Sequence, residues 1–236
     1  MFLTGVSFFG LLLVGVLALN PPTVKDSFVW RKPLVGSLFG SICIFGIMAV
    51  FFPRQCSAMF DSGKKEKHEH TDKSRFGFHG TLSMARGHHP DCEKFSDHVF
   101  QIKGRRFCAA CAGLLLGGLA SLVGAFLYFF GGWHIEQTTF QVVLVGLLGV
   151  IGGLIQFKVK TNFVRLFLNT IFVLGAFFLL IGIDELAQNV FADLFLVVLV
   201  VFWLFTRISL SQWNNWRICY TCNAVSCEFR KSEKRD

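Results

Sequence analysis

The sequence predicts an all-α fold, a polytopic bundle of about six transmembrane helices with a small cytoplasmic module of cysteine and histidine. Three observations lead there. Hydrophobic residues make up 53% of the chain and charged ones only 16%, which sets it apart from an ordinary soluble domain. Six stretches reach about 17 residues or more with one charge at most, the length of a bilayer-spanning helix. Lysine and arginine are also partitioned: 20 of 23 fall on one side of the topology those stretches define.

The first span runs from about Leu3 to Leu19 and ends at Asn20-Pro21-Pro22. A cleaved signal peptide would have a positive n-region and a small-x-small cleavage site. This stretch has neither before Pro21, so it reads as a retained helix. The second span, about Leu34 to Phe52, ends at Pro53, where the missing proline donor stops a helix. Four more follow, at about Ala109 to Phe130, Phe140 to Phe157, Phe163 to Ile183 and Val190 to Thr206. Their lack of alternation excludes barrel strands.

Four regions result: the two N-terminal helices (1–53), a polar loop (54–107), a four-helix core (108–206) and a cysteine-bearing tail (207–236). Eleven basic residues lie in the loop, three around the turn at Lys158 to Asn162 including Arg165, and six in the tail from Arg207. Only Lys25, Arg31 and Lys32 remain for the other side. The positive-inside rule thus places loop, tail and both termini in the cytoplasm of a multi-pass cell-membrane protein. The net charge of +8 follows from that bias. Nucleic acid is not an expected partner, because no basic and aromatic recognition module accompanies it. The expected partners are the bilayer and other subunits of a membrane complex.

Within the loop, Phe60 to Gly80 is rich in Lys, Glu and His and reads as a flexible insertion whose His68 and His70 are solvated. Of the eight cysteines, Cys43 falls inside the second helix as a small apolar residue, and Cys56 has no partner at motif spacing. The other six lie on the predicted cytoplasmic side: Cys92, the pair Cys108-x-x-Cys111, the pair Cys219-x-x-Cys222, and Cys227. A reducing compartment argues against disulfides. Two C-x-x-C pairs suit a tetrahedral thiolate site, because two intervening residues let both sulfurs reach one ion. Four helices separate the pairs, an even number, so the expectation is one site tying loop to tail. Cys92, His98, Cys227 and one of His88 and His89 complete a pool of eight ligands, enough for one ion or two. Thiolate with imidazole points to zinc first, and to iron or an iron-sulfur cluster next.

Gly113 and Gly117, continued by Ala120 and Gly124, form a small-residue face on the third helix; Gly149 and Gly153 repeat it on the fourth. Such faces allow close approach in lipid, and the expectation is that these consecutive helices pack on each other. Ionisable residues within the spans are sparse. Asp193 with Asn169 is the candidate pair for an ion path, Asp184-Glu185 lies at the rim, and Arg165 is expected to snorkel to water. No nucleotide-binding or hydrolase fingerprint occurs.

The run HHPDCEKF to GRRFCAACAGLLLG, through His89, Pro90, Cys92, His98, Gly104, Cys108, Cys111 and Gly113, resembles a family of small prokaryotic, often archaeal, integral membrane proteins of unknown function. The resemblance is firm over about Arg86 to Gly118. It implies a metal-bearing membrane protein and supplies no reaction. The expected function is a non-enzymatic structural or docking subunit with a zinc module. A redox or metal-dependent membrane enzyme is the first alternative and a small-solute transporter the second; no catalytic residue is assigned.

Overall fold

The computed structural model describes residues 2–22, 28–51, 99–102, 105–135, 138–156 and 161–220. Six helices account for nearly all of them: α1 (Phe2–Leu19), α2 (Arg31–Phe51), α3 (Ala109–Phe129), α4 (Thr139–Ile155), α5 (Asn162–Ala187) and α6 (Val190–Tyr220). All but α4 are long and apolar enough to cross a membrane. The 17-residue α4 rises about 25 Å, slightly less than the roughly 30 Å of a hydrocarbon core. The chain is therefore compatible with a multi-pass membrane protein. The flexible insertion expected at Phe60 to Gly80 lies outside the described residues.

Helix directions follow from the contacts. Gly36 lies against Phe129, and Gly118 against Ile47, so α2 and α3 run antiparallel. Ser7 meets Thr206 at 3.0 Å while Gly10 lies against Leu199, so α1 and α6 do the same; Trp203 Nε1 donates to the Ser7 carbonyl at 3.2 Å. As a result the start of α1, the start of α3 and the far end of α6 share one end of the bundle. The start of α2, the end of α5 and the start of α6 share the other.

The helix at the centre is α5. In its most apolar window 56% of residues are buried, against 28–33% in the other long helices. This corrects the expected pairing of α3 with α4. The stripe on α3 faces α5, with Gly113 against Leu166 and Asn169, Gly117 against Thr170 and Val173, and Gly124 against Phe177. The α4 stripe also faces α5: Gly146 meets Gly175 and Leu179, and Gly149 meets Ile171. Small residues mark where backbones approach, and α5 provides the facing surface for both helices, including its own Gly175. The outer surface of the bundle is apolar, with Phe9, Leu12, Val123, Phe126 and Val198 all at least 60% exposed. Cys43 is buried in α2, as expected.

Two local features depart from the expected spans. A hairpin precedes α3: β1 (Val99–Ile102) and β2 (Arg105–Cys108) pair antiparallel, Val99 opposite Cys108 and Ile102 opposite Arg105. The last helix also does not stop near Thr206 but continues to Tyr220. Apolar character falls there while Ser, Gln, Trp and Asn still tolerate helix, so the helix outlasts its hydrophobic stretch.

Candidate functional site: two polar clusters at opposite ends of the bundle

At the hairpin end the strand delivers Cys108 directly into the helix. Cys108 is the extended N-cap of α3, and no side chain caps the first turn. Cys111 follows three residues later, close to one turn, so both thiols lie on one side of the helix start. Both are partly exposed and free of disulfide. The Cys111 side chain hydrogen-bonds to Cys108 and holds the Cys108 thiol below its ordinary range, against the opposing effect of burial; backbone N–H groups of Cys111 and Ala110 and the charge of Arg165 assist. A helix N-terminus also favours a thiolate.

Two guanidinium groups stand by this pair. Arg207 of α6 is 5% exposed, lies 5.4 Å from the Phe172 ring centroid and interacts with both thiols. The Gln156 amide, turned so that its oxygen faces Arg207, accepts from Nη2 at 2.7 Å and Nε at 3.0 Å, while its nitrogen reaches Asn169 Oδ1 at 2.9 Å. Asn169 Nδ2 donates to the Arg165 carbonyl at 2.5 Å. Thr170 Oγ1 bridges the carbonyls of Gly113 and Leu166, both at 3.1 Å, and stitches α3 to α5. Arg165 is 9% exposed, so it is buried rather than extended to water. The cluster thus combines cations, amides and thiols.

At the opposite end the composition reverses. Arg31 Nη1, at the start of α2, lies 2.5 Å from Asp184 Oδ1 and 2.7 Å from Asp193 Oδ2. Both aspartates are fully buried. Tyr128 Oη, buried at the end of α3, is 2.7 Å from Asp184 Oδ2 and 2.6 Å from Glu185 Oε2. Lys32 Nζ lies 4.6 Å from the Tyr128 ring centroid, 3.8 Å from Asp184 and 3.9 Å from Glu185. Chain geometry makes this possible. Gln188 adopts a left-handed conformation with φ of 46° and closes α5 through its N–H to the Asp184 carbonyl. Asn189 Oδ1 then accepts from Phe191 N at 3.0 Å and caps α6. Two residues thus reverse the chain, and Asp184 and Asp193 can share one arginine.

Of the expected ligands, the structure brings Cys108 and Cys111 together and places Cys219 on the final stretch of α6. His88, His89, Cys92, His98, Cys222 and Cys227 lie outside the described residues. Among the described residues no three Cys, His, Asp or Glu side chains converge as metal ligands. The expected pair of Asp193 and Asn169 is not assembled. Asn169 precedes Asp184 by fifteen residues on α5, about 22 Å of helix, so the two polar residues belong to different ends. Arg31, Tyr128, Gln156 and Arg207 were not singled out as site residues. A positive charge at each end of an apolar stretch was the available signal, and it names no partner.

The chain matches no protein-family model, and neither curated proteins nor solved structures give a match.

Proposed function

We propose that this chain is a multi-pass membrane protein with a thiolate metal centre, zinc in the first instance, at the hairpin end, serving as a structural and docking module. The hairpin register carries the reading. Val99 faces Cys108, so His98 is one peptide bond from the residue opposite the first thiol, and Cys92 precedes it by six residues. The set Cys92, His98, Cys108 and Cys111 has the donor number and softness of a tetrahedral zinc site. The charge of Arg165 beside Cys108 favours the anionic, metal-binding form of that thiol.

The tail cysteines start elsewhere. Helix α6 carries Cys219 twelve residues past Arg207, about 18 Å at 1.5 Å per residue, whereas a zinc ion holds each sulfur at about 2.3 Å. The geometry therefore favours a local site over one ion shared by both pairs, with Cys219, Cys222 and Cys227 as a second group. His88 and His89 stay in the local pool. By the positive-inside rule the hairpin end faces the cytoplasm, and both termini with it.

One observation favours a second reading. Two thiols in hydrogen-bonding contact at a helix N-terminus, with cations close by, also describe a reactive dithiol. Metal analysis and the visible spectrum of the purified protein separate the two. The zinc reading expects colourless protein with zinc that Cys108→Ser releases. Brown or red protein assigns iron, and metal-free protein that forms a Cys108–Cys111 disulfide assigns redox chemistry; either result rejects zinc.

A further inference from the structure

The end of the bundle away from the hairpin gathers Arg31 and Lys32 from α2, Asp184 and Glu185 from α5, and Asp193 from α6. Tyr128 of α3 joins them, and His134, in the connection that follows α3, stands 3.9 Å from Glu185. With His134 neutral, two positive charges face three negative ones. One negative charge is left over at the edge of an apolar bundle, where such an excess is costly.

The hydrogen bonds show the same shortfall. A tyrosine hydroxyl has one proton to donate. Its oxygen lies within 2.7 Å of Asp184 Oδ2 and 2.6 Å of Glu185 Oε2, both ordinary O–H···O distances. Tyr128 donates along one of these contacts. The other closes only when the carboxyl itself carries a proton and donates to Tyr128 Oη, since otherwise two lone pairs meet. Independently, Oδ1 of the fully buried Asp193 has no partner, although Oδ2 of the same carboxylate is held by Arg31. One added hydrogen ion corrects the charge count and closes either shortfall, the second Tyr128 contact or the bare Asp193 oxygen. A metal ion fits less well, because Arg31 already holds Asp184 Oδ1 and Asp193 Oδ2 and no three His, Cys, Asp or Glu side chains converge as metal ligands among the described residues.

We propose that this cluster is a proton-binding site, in which Asp184 and Glu185 share one proton through Tyr128 and Asp193 Oδ1 offers the second place for it. His134, 58% exposed, connects Glu185 to water. Four helices meet at the site, so its loading is coupled to the packing of their ends. With the proton bound, the Tyr128 contacts hold α3 against α5; with the proton lost, one of the two contacts opens.

Infrared spectroscopy of the full chain in phospholipid vesicles at neutral pH tests this. The wild type is expected to show a protonated-carboxyl C=O band that moves on exchange into deuterium oxide. Glu185→Gln, whose amide donates to Tyr128 Oη without titrating, is expected to abolish the band while the helical amide signal is retained. Tyr128→Phe is expected to shift its frequency. Absence of the band in the wild type overturns the proposal, as does its persistence in both Glu185→Gln and Asp184→Asn. A band removed by sodium chloride but not by choline chloride of equal ionic strength also overturns it, and assigns a metal cation instead.

Discussion

The two ends of this bundle handle buried charge in opposite ways. Away from the hairpin, Arg31 meets Asp184 and Asp193 in an ion network that carries one negative charge in excess, with Tyr128 and Glu185 beside it. At the hairpin end, Arg207 is buried among Gln156, Phe172 and two cysteines, and no carboxylate is among its described partners. The first arrangement locks helices together by pairing. The second leaves positive charge facing thiols, which suits a group that becomes anionic. Burial alone does not mark a functional site, because the charge left unbalanced decides what each end attracts.

The largest effect is expected from Arg31→Met, which strands two buried aspartates. Removing one partner of a buried pair costs about 3–5 kcal/mol, and chemical denaturation in detergent micelles would register that loss. An unchanged midpoint would contradict the ion network. Next comes Gly113→Val. Its Cβ would press on the Leu166 carbonyl and on the Asn169 side chain, and overpacking of this kind costs about 1–3 kcal/mol. Gly5→Ala is the control, since nothing lies within 4 Å of its added carbon, and no loss is expected there. Equal losses at the two glycines would deny α5 its central place.

A smaller effect belongs to the hairpin end. Arg207→Met leaves no buried acid among the described partners unpaired, so its stability cost should fall below that of Arg31→Met. In metal-stripped protein it should slow alkylation of Cys108 at neutral pH by roughly twofold to fivefold, less than the tenfold of one full pKa unit. Faster alkylation would reverse the assigned role of the guanidinium.

How much of this was legible depends on the range of the interaction. The spans could be read because hydropathy is a local property, and Pro21, Pro22 and Pro53 mark their ends in the sequence. The small faces on α3 and α4 were visible as spacings, but their common partner α5 was not, because spacing describes one surface and not the surface opposite. Arg31 lies 153 residues from Asp184 and 162 from Asp193, so nothing in either neighbourhood announces the network. The hairpin was missed for a different reason: four residues per strand are too few for a visible alternation. Yet its register is what sets Val99, the residue that follows His98 in the sequence, opposite Cys108. The C-x-x-C pair itself was legible from spacing, whereas the cations around it come from α5 and α6.

The claim that the metal centre is local to the hairpin end is tested most directly by cobalt substitution. Thiolate ligands give cobalt(II) strong charge-transfer absorption, so the spectrum of the full chain reports which cysteines bind the added cobalt. Cys108→Ser is expected to lower the charge-transfer intensity of the first cobalt equivalent, while the double variant Cys219→Ser and Cys222→Ser is expected to leave that equivalent unchanged. Loss of the same equivalent in the tail double variant would contradict it and return both pairs to a single shared ion.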